Sequence, residues 1–141
     1  CVVHGDYSPK NILVYQNRLI LLDHEVIHWG DPAFDVGFSA THLLSKTLHV
    51  KNHRPAFRKA ISQYWKTYRD EVGSSILHGD FEERCIRHTL GCLLARVEGR
   101  SPLEYLNESE RNYQKRRVLD LMSNLPPRME VLIDAFVSFN A

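Results

Sequence analysis

The residues best suited to chemistry lie near the start of the chain. His4-Gly5-Asp6-Tyr7-Ser8-Pro9-Lys10-Asn11 sets a carboxylate and an amide five residues apart, and Leu22-Asp23-His24-Glu25 supplies two further carboxylates. Between them, Ile12-Leu13-Val14-Tyr15 and Leu19-Ile20-Leu21-Leu22 are short apolar runs flanking Gln16-Asn17-Arg18. That pattern predicts a β-hairpin with a loop of about three residues. With Tyr15 paired to Leu19, the register carries Ile12 to Leu22 and Asn11 to Asp23, and opposed residues of an antiparallel pair lie roughly 5 Å apart at Cα. An amide oxygen beside a carboxylate is a hard-ligand set suited to Mg²⁺, which takes one or two carboxylates and completes its shell with phosphate and water. Asp6, in a Gly-containing loop just before this pair, is placed to accept a proton from a hydroxyl beside a metal-bound phosphate.

These residues have to be positioned by the rest of the chain, which reads as helical. One apolar face runs through Phe57, Ile61, Tyr64, Trp65, Tyr68 and Val72, and a second through Ile86, Leu90, Leu93, Leu94 and Val97. Val118, Leu119, Met122 and Leu125 form a third, and Met129, Leu132, Ile133, Phe136 and Val137 a fourth. Asp31-Pro32 is a helix-start signal, Asp80 with Glu83 is a candidate capping box, and Ser101-Pro102-Leu103-Glu104 is another with Pro at the first helical position. The expected fold class is α+β, mostly α: a small hairpin followed by four or five packed helices in a single domain over residues 1–141, with no repeat or linker.

Composition narrows the function. Hydrophobic residues make up 43% and charged residues 25% of the 141 residues, and the formal net charge is +1. Such a balance is ordinary for a soluble globular protein and gives no basis for nucleic acid or an anionic membrane as partner. No apolar run approaches a membrane span, and no signal peptide is visible. Cys1, Cys85 and Cys92 are too few and scattered for a disulfide framework, so a reducing, cytoplasmic setting is expected. The histidines beyond His4 show no metal-ligand spacing on one helix face. Lys115-Arg116-Arg117 reads as a solvated face.

Phosphoryl transfer needs a carboxylate to orient the attacking hydroxyl, plus Asn and Asp to hold metal against the phosphates. Protein kinases write this as H-R-D-x-x-x-x-N followed by D-F-G. Here Gly5 stands for the Arg, and Asp23-His24-Glu25 stands for D-F-G. With Gly30-Asp31-Pro32-Ala33-Phe34-Asp35-Val36-Gly37 after it, the stretch from Val3 to Gly37 resembles the aminoglycoside phosphotransferases and their relatives, the choline, methylthioribose and fructosamine kinases. The resemblance implies the C-terminal lobe of a protein-kinase-like fold. It further implies Asp6 as catalytic base, Asn11 and Asp23 as Mg²⁺ ligands, and Glu25 in or just outside the metal shell. Asp35 and His4 would brace the catalytic loop. The helices would form the acceptor cleft, with Arg96, Glu98 and Arg100 as candidate substrate contacts. The implied reaction moves the γ-phosphate of ATP or GTP to a hydroxyl of a small molecule such as a sugar, aminoglycoside or amino alcohol.

Asp6 and Asn11 suit a turn, but a turn does not account for Asp23. Asp35 also fits the first turn of a helix, and Lys10 fits a solvated loop. Ser8 occupies the place where protein-directed Ser/Thr kinases carry Lys, which counts against a protein substrate. His78-Gly79-Asp80 repeats the tripeptide, but Cys85 replaces the Asn and no hairpin follows, so it reads as a helix start. The chain carries no Gly-rich phosphate loop and no strand Lys of the kinase kind, parts that the family holds in an N-terminal lobe. It is therefore expected to be a fragment that folds but transfers phosphate poorly, with an exposed apolar face inviting a homodimer. The alternative is a non-catalytic binding module that keeps the fold.

Overall fold

The computed structural model describes residues 1–73, 76, 77 and 79–138. Two small antiparallel sheets open the chain. Strand β1 (Val2–Val3) pairs with β4 (His28–Trp29), and β2 (Ile12–Tyr15) pairs with β3 (Arg18–Leu21). Five helices follow: α1 (Pro32–His49), α2 (Arg54–Val72), α3 (Phe81–Glu98), α4 (Glu108–Ser123) and α5 (Met129–Val137). The mostly helical α+β class and the helix count match the expectation, whereas the β1–β4 pair was not foreseen. Two-residue strands carry no periodicity to read.

The hairpin corrects the sequence reading. Its register is Tyr15 with Arg18 and Ile12 with Leu21, one residue off the expected alignment. The loop is the two residues Gln16 and Asn17, both at positive φ (47° and 56°). Two successive residues in this region match the strand twist, as in a type I′ turn, so the loop closes without Arg18. Asn11 is consequently opposite Leu22, whose N–H donates to the Asn11 carbonyl at 2.8 Å. Asp23 lies one residue further on, at φ 62°, in the left-handed region that a short polar side chain tolerates.

Helix α1 is the centre of the molecule, packed on α2 and α3 with α4 and α5 around them. Asp31 caps it by accepting from the Ala33 N–H at 3.0 Å, with Pro32 in the first turn, as the sequence indicated. Its buried side includes Ala33, Val36, Gly37, Ala40, Thr41, Leu44 and Leu48. Small residues here let the neighbouring helices approach closely. A Cβ on Gly37 would fall 2.7 Å from both the His88 Cβ and the Thr89 nitrogen of α3. Thr41 Oγ1 donates to the Gly37 carbonyl at 2.9 Å, and its second contact is the Thr89 carbonyl at 3.2 Å, so its polar atom is satisfied inside the core. Trp65, Ile61, Phe81, Ile86, Leu90, Leu132 and Phe136 fill the space between helices.

The helix starts after α2 differ in part from expectation. Residues 101–106 are not helical. The capping box belongs to Asn107 and Glu110, which exchange side-chain to backbone hydrogen bonds at 2.9 Å each and open α4. Ser101-Pro102-Leu103-Glu104 had the right letters, but Leu103 and Leu106 are buried, and this anchors the segment as a connection. Asp80 does precede α3, yet its carboxylate pairs with Arg84 instead of capping, and His78 lies outside the described residues. Cys85 is buried and Cys92 half-buried, in keeping with core roles; burial pushes their thiols up to about 12 and about 11. Among the described residues, no helix is long and apolar enough to cross a membrane.

Candidate active site

The loop from His4 to Asn11 is tied to α1 through Asp35. The Asp35 carboxylate accepts from the His4 N–H at 2.6 Å and the Gly5 N–H at 2.9 Å. It can do so because Asp35 sits in the first turn of a helix that Asp31 and Pro32 start immediately before it. Arg84 of α3 binds the other Asp31 oxygen at 2.8 Å. Burial would raise the Asp31 carboxyl, but the Ala33 N–H and Arg84 outweigh it and hold the carboxyl below its ordinary value.

His4 braces the loop from the other side. Its Nδ1 accepts the Asp6 N–H at 3.2 Å, and its Nε2 is 2.9 Å from the Leu22 carbonyl. A carbonyl only accepts, so Nε2 is the donor of this pair. His4 therefore links the loop to the end of the hairpin, beside Asp23. Gly5 has φ 81°, and a Cβ there would lie 2.8 Å from the Val26 carbonyl oxygen, so this position requires glycine on both conformational and steric grounds.

Asp6 and Asn11 meet. The Asn11 Nδ2 donates to the Asp6 carbonyl and to Asp6 Oδ2, both at 2.9 Å. A short 3₁₀ turn, Pro9–Asn11, brings them together, with Ser8 and Asn11 buried. Two acceptors fix the amide orientation, and the Asn11 Oδ1 is left for another partner. Lys10 Nζ reaches the same Asp6 oxygen at 3.1 Å from an exposed position, an ion pair that the solvated-loop reading missed. Asp6 Oδ1 has no protein partner among the described residues.

Asp23 and Glu25 are exposed in the turn beyond the hairpin. Asp23 is not opposite Asn11 as expected, but it follows directly on the Leu22 that pairs with Asn11. Among the described residues no three His, Cys, Asp or Glu side chains form a metal-binding group. The Asn11 amide oxygen and the Asp23 carboxylate are a sparser donor set, of the kind that suits Mg²⁺ when phosphate and water supply the remaining ligands.

The three substrate candidates on α3 and beyond separate. Arg96 Nη1 donates to the Ser101 carbonyl at 2.9 Å and to Ser101 Oγ at 3.1 Å, and its guanidinium sits 5.0 Å over the Phe38 ring of α1. Glu98 is engaged in an exposed ion pair with Lys115 at 2.8 Å. Arg100 is exposed beyond the helix end.

One residue that the sequence reading passed over belongs with Arg96. His42 lies one turn after Phe38, its ring 5.0 Å from the Phe38 ring. Burial, then the charge of Arg96, pushes its imidazole down to about 4, with Asp6 acting in the opposite sense. The four-residue spacing of Phe34, Phe38, His42 and Lys46 along α1 was the available signal, hidden because a helical stripe usually means core.

A profile of the phosphotransferase enzyme family matches residues 1–75, just over half of the chain. No curated protein and no solved structure matches it. The loop carrying Asp6, the Asn five residues on, the Asp beyond the hairpin and the bracing Asp35 all fall within the matched stretch, and the chain belongs to the phosphotransferase enzyme family.

Proposed function

We propose that this chain is the catalytic, C-terminal lobe of a kinase that moves the γ-phosphate of ATP or GTP to a hydroxyl of a small molecule. The observation that carries this reading is the Asn11 amide bound to the Asp6 carboxylate at 2.9 Å on a loop that Asp35 clamps to the central helix. Such a clamp holds a carboxylate in one orientation, which phosphoryl transfer requires of its hydroxyl-orienting group. In this reading the free Asp6 Oδ1 receives the acceptor hydroxyl and takes its proton. The hydroxyl oxygen bonds to the γ-phosphorus as the bond from that phosphorus to the β-phosphate oxygen breaks. The nucleoside diphosphate leaves.

Asn11 Oδ1 and the Asp23 carboxylate would hold Mg²⁺, with Glu25 in or just outside its shell. The ion would neutralise charge on the phosphates when bound. His4 and Asp35 act as positioning residues. Exposed Val14, Leu19 and Trp29 at the sheets support a covering partner, either a nucleotide-holding lobe or a second copy.

Calorimetry tests the metal site. Mg²⁺-dependent binding of ATP or GTP that disappears in Asp23→Ala is the expected result. Binding that is indifferent to Mg²⁺ and to this substitution would sink the metal assignment. Phosphate transfer to any alcohol that persists in Asp6→Asn would remove Asp6 from its role.

A further inference from the structure

The side of α1 that carries Phe38, His42 and Lys46 presents positive charge beside the reacting carboxylate. These residues are four apart and share one helix face. Arg96 stands over Phe38, held by two bonds from Nη1 to Ser101, and this leaves Nε and Nη2 as donors. Lys46 Nζ lies 3.6 Å from the centroid of the Tyr105 ring. His42 connects this wall to the catalytic loop, because the charges acting on it are Arg96, Asp6, Lys10 and Lys46, three cations against one carboxylate.

Three carboxylates of this part of the fold have other partners. Glu98 pairs with Lys115. Glu110, whose charge reaches Tyr105, accepts from the Asn107 N–H and lies 3.2 Å from His49 Nδ1. Asp6 itself carries Lys10. Among the described residues Arg96 forms no ion pair with a carboxylate. A fixed guanidinium with two donors spare matches the planar geometry of a carboxylate or phosphate. A polycationic acceptor would meet repulsion on the same wall.

We propose that the acceptor alcohol carries an anionic group, a carboxylate or a phosphate, that Arg96 binds through Nε and Nη2 while the hydroxyl faces Asp6. This rests on the phosphotransferase reading for the identity of the reaction, and on the wall residues for the charge of the substrate. Lys46 adds long-range attraction. His42 stays neutral at physiological pH and offers a hydrogen-bonding edge, its Nε2 being without a hydrogen-bond partner among the described residues.

A matched set of probes tests the proposal on this chain: glucose, glucosamine, gluconate and a glucose phosphate. Binding is followed by the ¹H–¹⁵N signal of the Arg96 Nε–H group and by calorimetry, on the wild type, Arg96→Gln and Arg96→Lys. The expected result is that at least one anionic probe moves the Arg96 signal and binds roughly tenfold or more tightly than glucose, with glucosamine weakest. Arg96→Gln removes the preference, and Arg96→Lys retains part of it with the fold intact by thermal melting. The gluconate and phosphate arms separate the two anion types. Equal or tighter binding of glucosamine, an unmoved Arg96 signal with every anion, or an unchanged preference in Arg96→Gln each overturns the proposal.

Transfer from Mg²⁺-ATP or Mg²⁺-GTP to the same probes separates the two readings. Phosphorylation that favours glucosamine or glucose defeats the anionic acceptor and leaves the phosphotransferase standing. Arg96-dependent anion binding alongside nucleotide binding that is indifferent to Mg²⁺ and to Asp23→Ala does the reverse.

Discussion

At the residue scale, the site depends on a few side chains that leave no slack. Asp6→Asn keeps an oxygen for the Asn11 amide, so the fold should hold, while on the proposed function any transfer that the wild type supports falls by about 10²–10⁴-fold, as for loss of a general base. Thermal melting and a turnover assay check both halves. Asp35→Ala strands the His4 and Gly5 N–H groups, at a cost of roughly 1–3 kcal/mol for each that water does not reach. Denaturant unfolding reads this directly, and Asp35→Asn should be milder because one oxygen remains. Gly5→Ala meets the Val26 carbonyl and an unfavourable φ together and should lose about 1–3 kcal/mol.

His42 gives a pH dependence whose sign follows from its environment. Unfolded, it takes a proton at its ordinary 6.5; folded, it resists until about 4. The unfolded state therefore binds more protons between these values, and stability, full above 6.5, declines as pH falls toward 4. His42→Gln should flatten that slope, seen as a smaller difference between denaturation midpoints at about pH 7 and about pH 5.

At the element scale, local signals decide where helices begin and how the hairpin closes. Asn107→Ala removes the bond from the Glu110 N–H to Asn107 Oδ1, leaves the backbone N–H of residue 107 bonded to Glu110, and should cost about 1 kcal/mol, read from the urea midpoint. The two-residue turn makes a prediction that a three-residue loop does not. Replacing Gln16-Asn17 by Asn-Gly suits both positive φ values and should stabilise the hairpin by up to about 1 kcal/mol. A loss instead would favour the three-residue loop. The helix faces were readable because a period of 3.6 residues over many residues leaves a strong pattern. A four-residue strand offers no such redundancy, and one residue of register was lost there.

At the scale of the whole molecule, the contrast is between a well-filled helical core and an apolar sheet surface. Trp65 is 2% exposed between helices, whereas Trp29 on β4 is 81% exposed. Iodide should quench only the Trp29 fluorescence, and Trp29→Phe should remove the quenchable component and leave the unfolding transition reported by Trp65. Leu19 at 75% and Val14 at 69% exposure lie opposite each other on the hairpin. Such side chains usually mark a surface that something covers.

The sequence by itself singled out the candidate site residues and determined the helical frame. Asp6, Asn11 and Asp23 stand out because hard oxygen donors at these spacings, around an apolar hairpin, match what metal-assisted phosphoryl transfer needs, whereas Asp35 reads first as an acidic residue in the first turn of a helix. The periodic faces of α2, α3 and α5 announced their helices. What it could not decide were the relations between distant segments. Whether Asp23 stands opposite Asn11 or one residue beyond it depends on turn dihedrals. Which of Arg96, Glu98 and Arg100 is left to meet a ligand depends on partners found only in space, Ser101 and Phe38 for the first and Lys115 for the second. The setting of α1's aromatic and basic stripe likewise depends on α3 packing against it, because burial and the field of neighbouring charges are properties of the assembled fold.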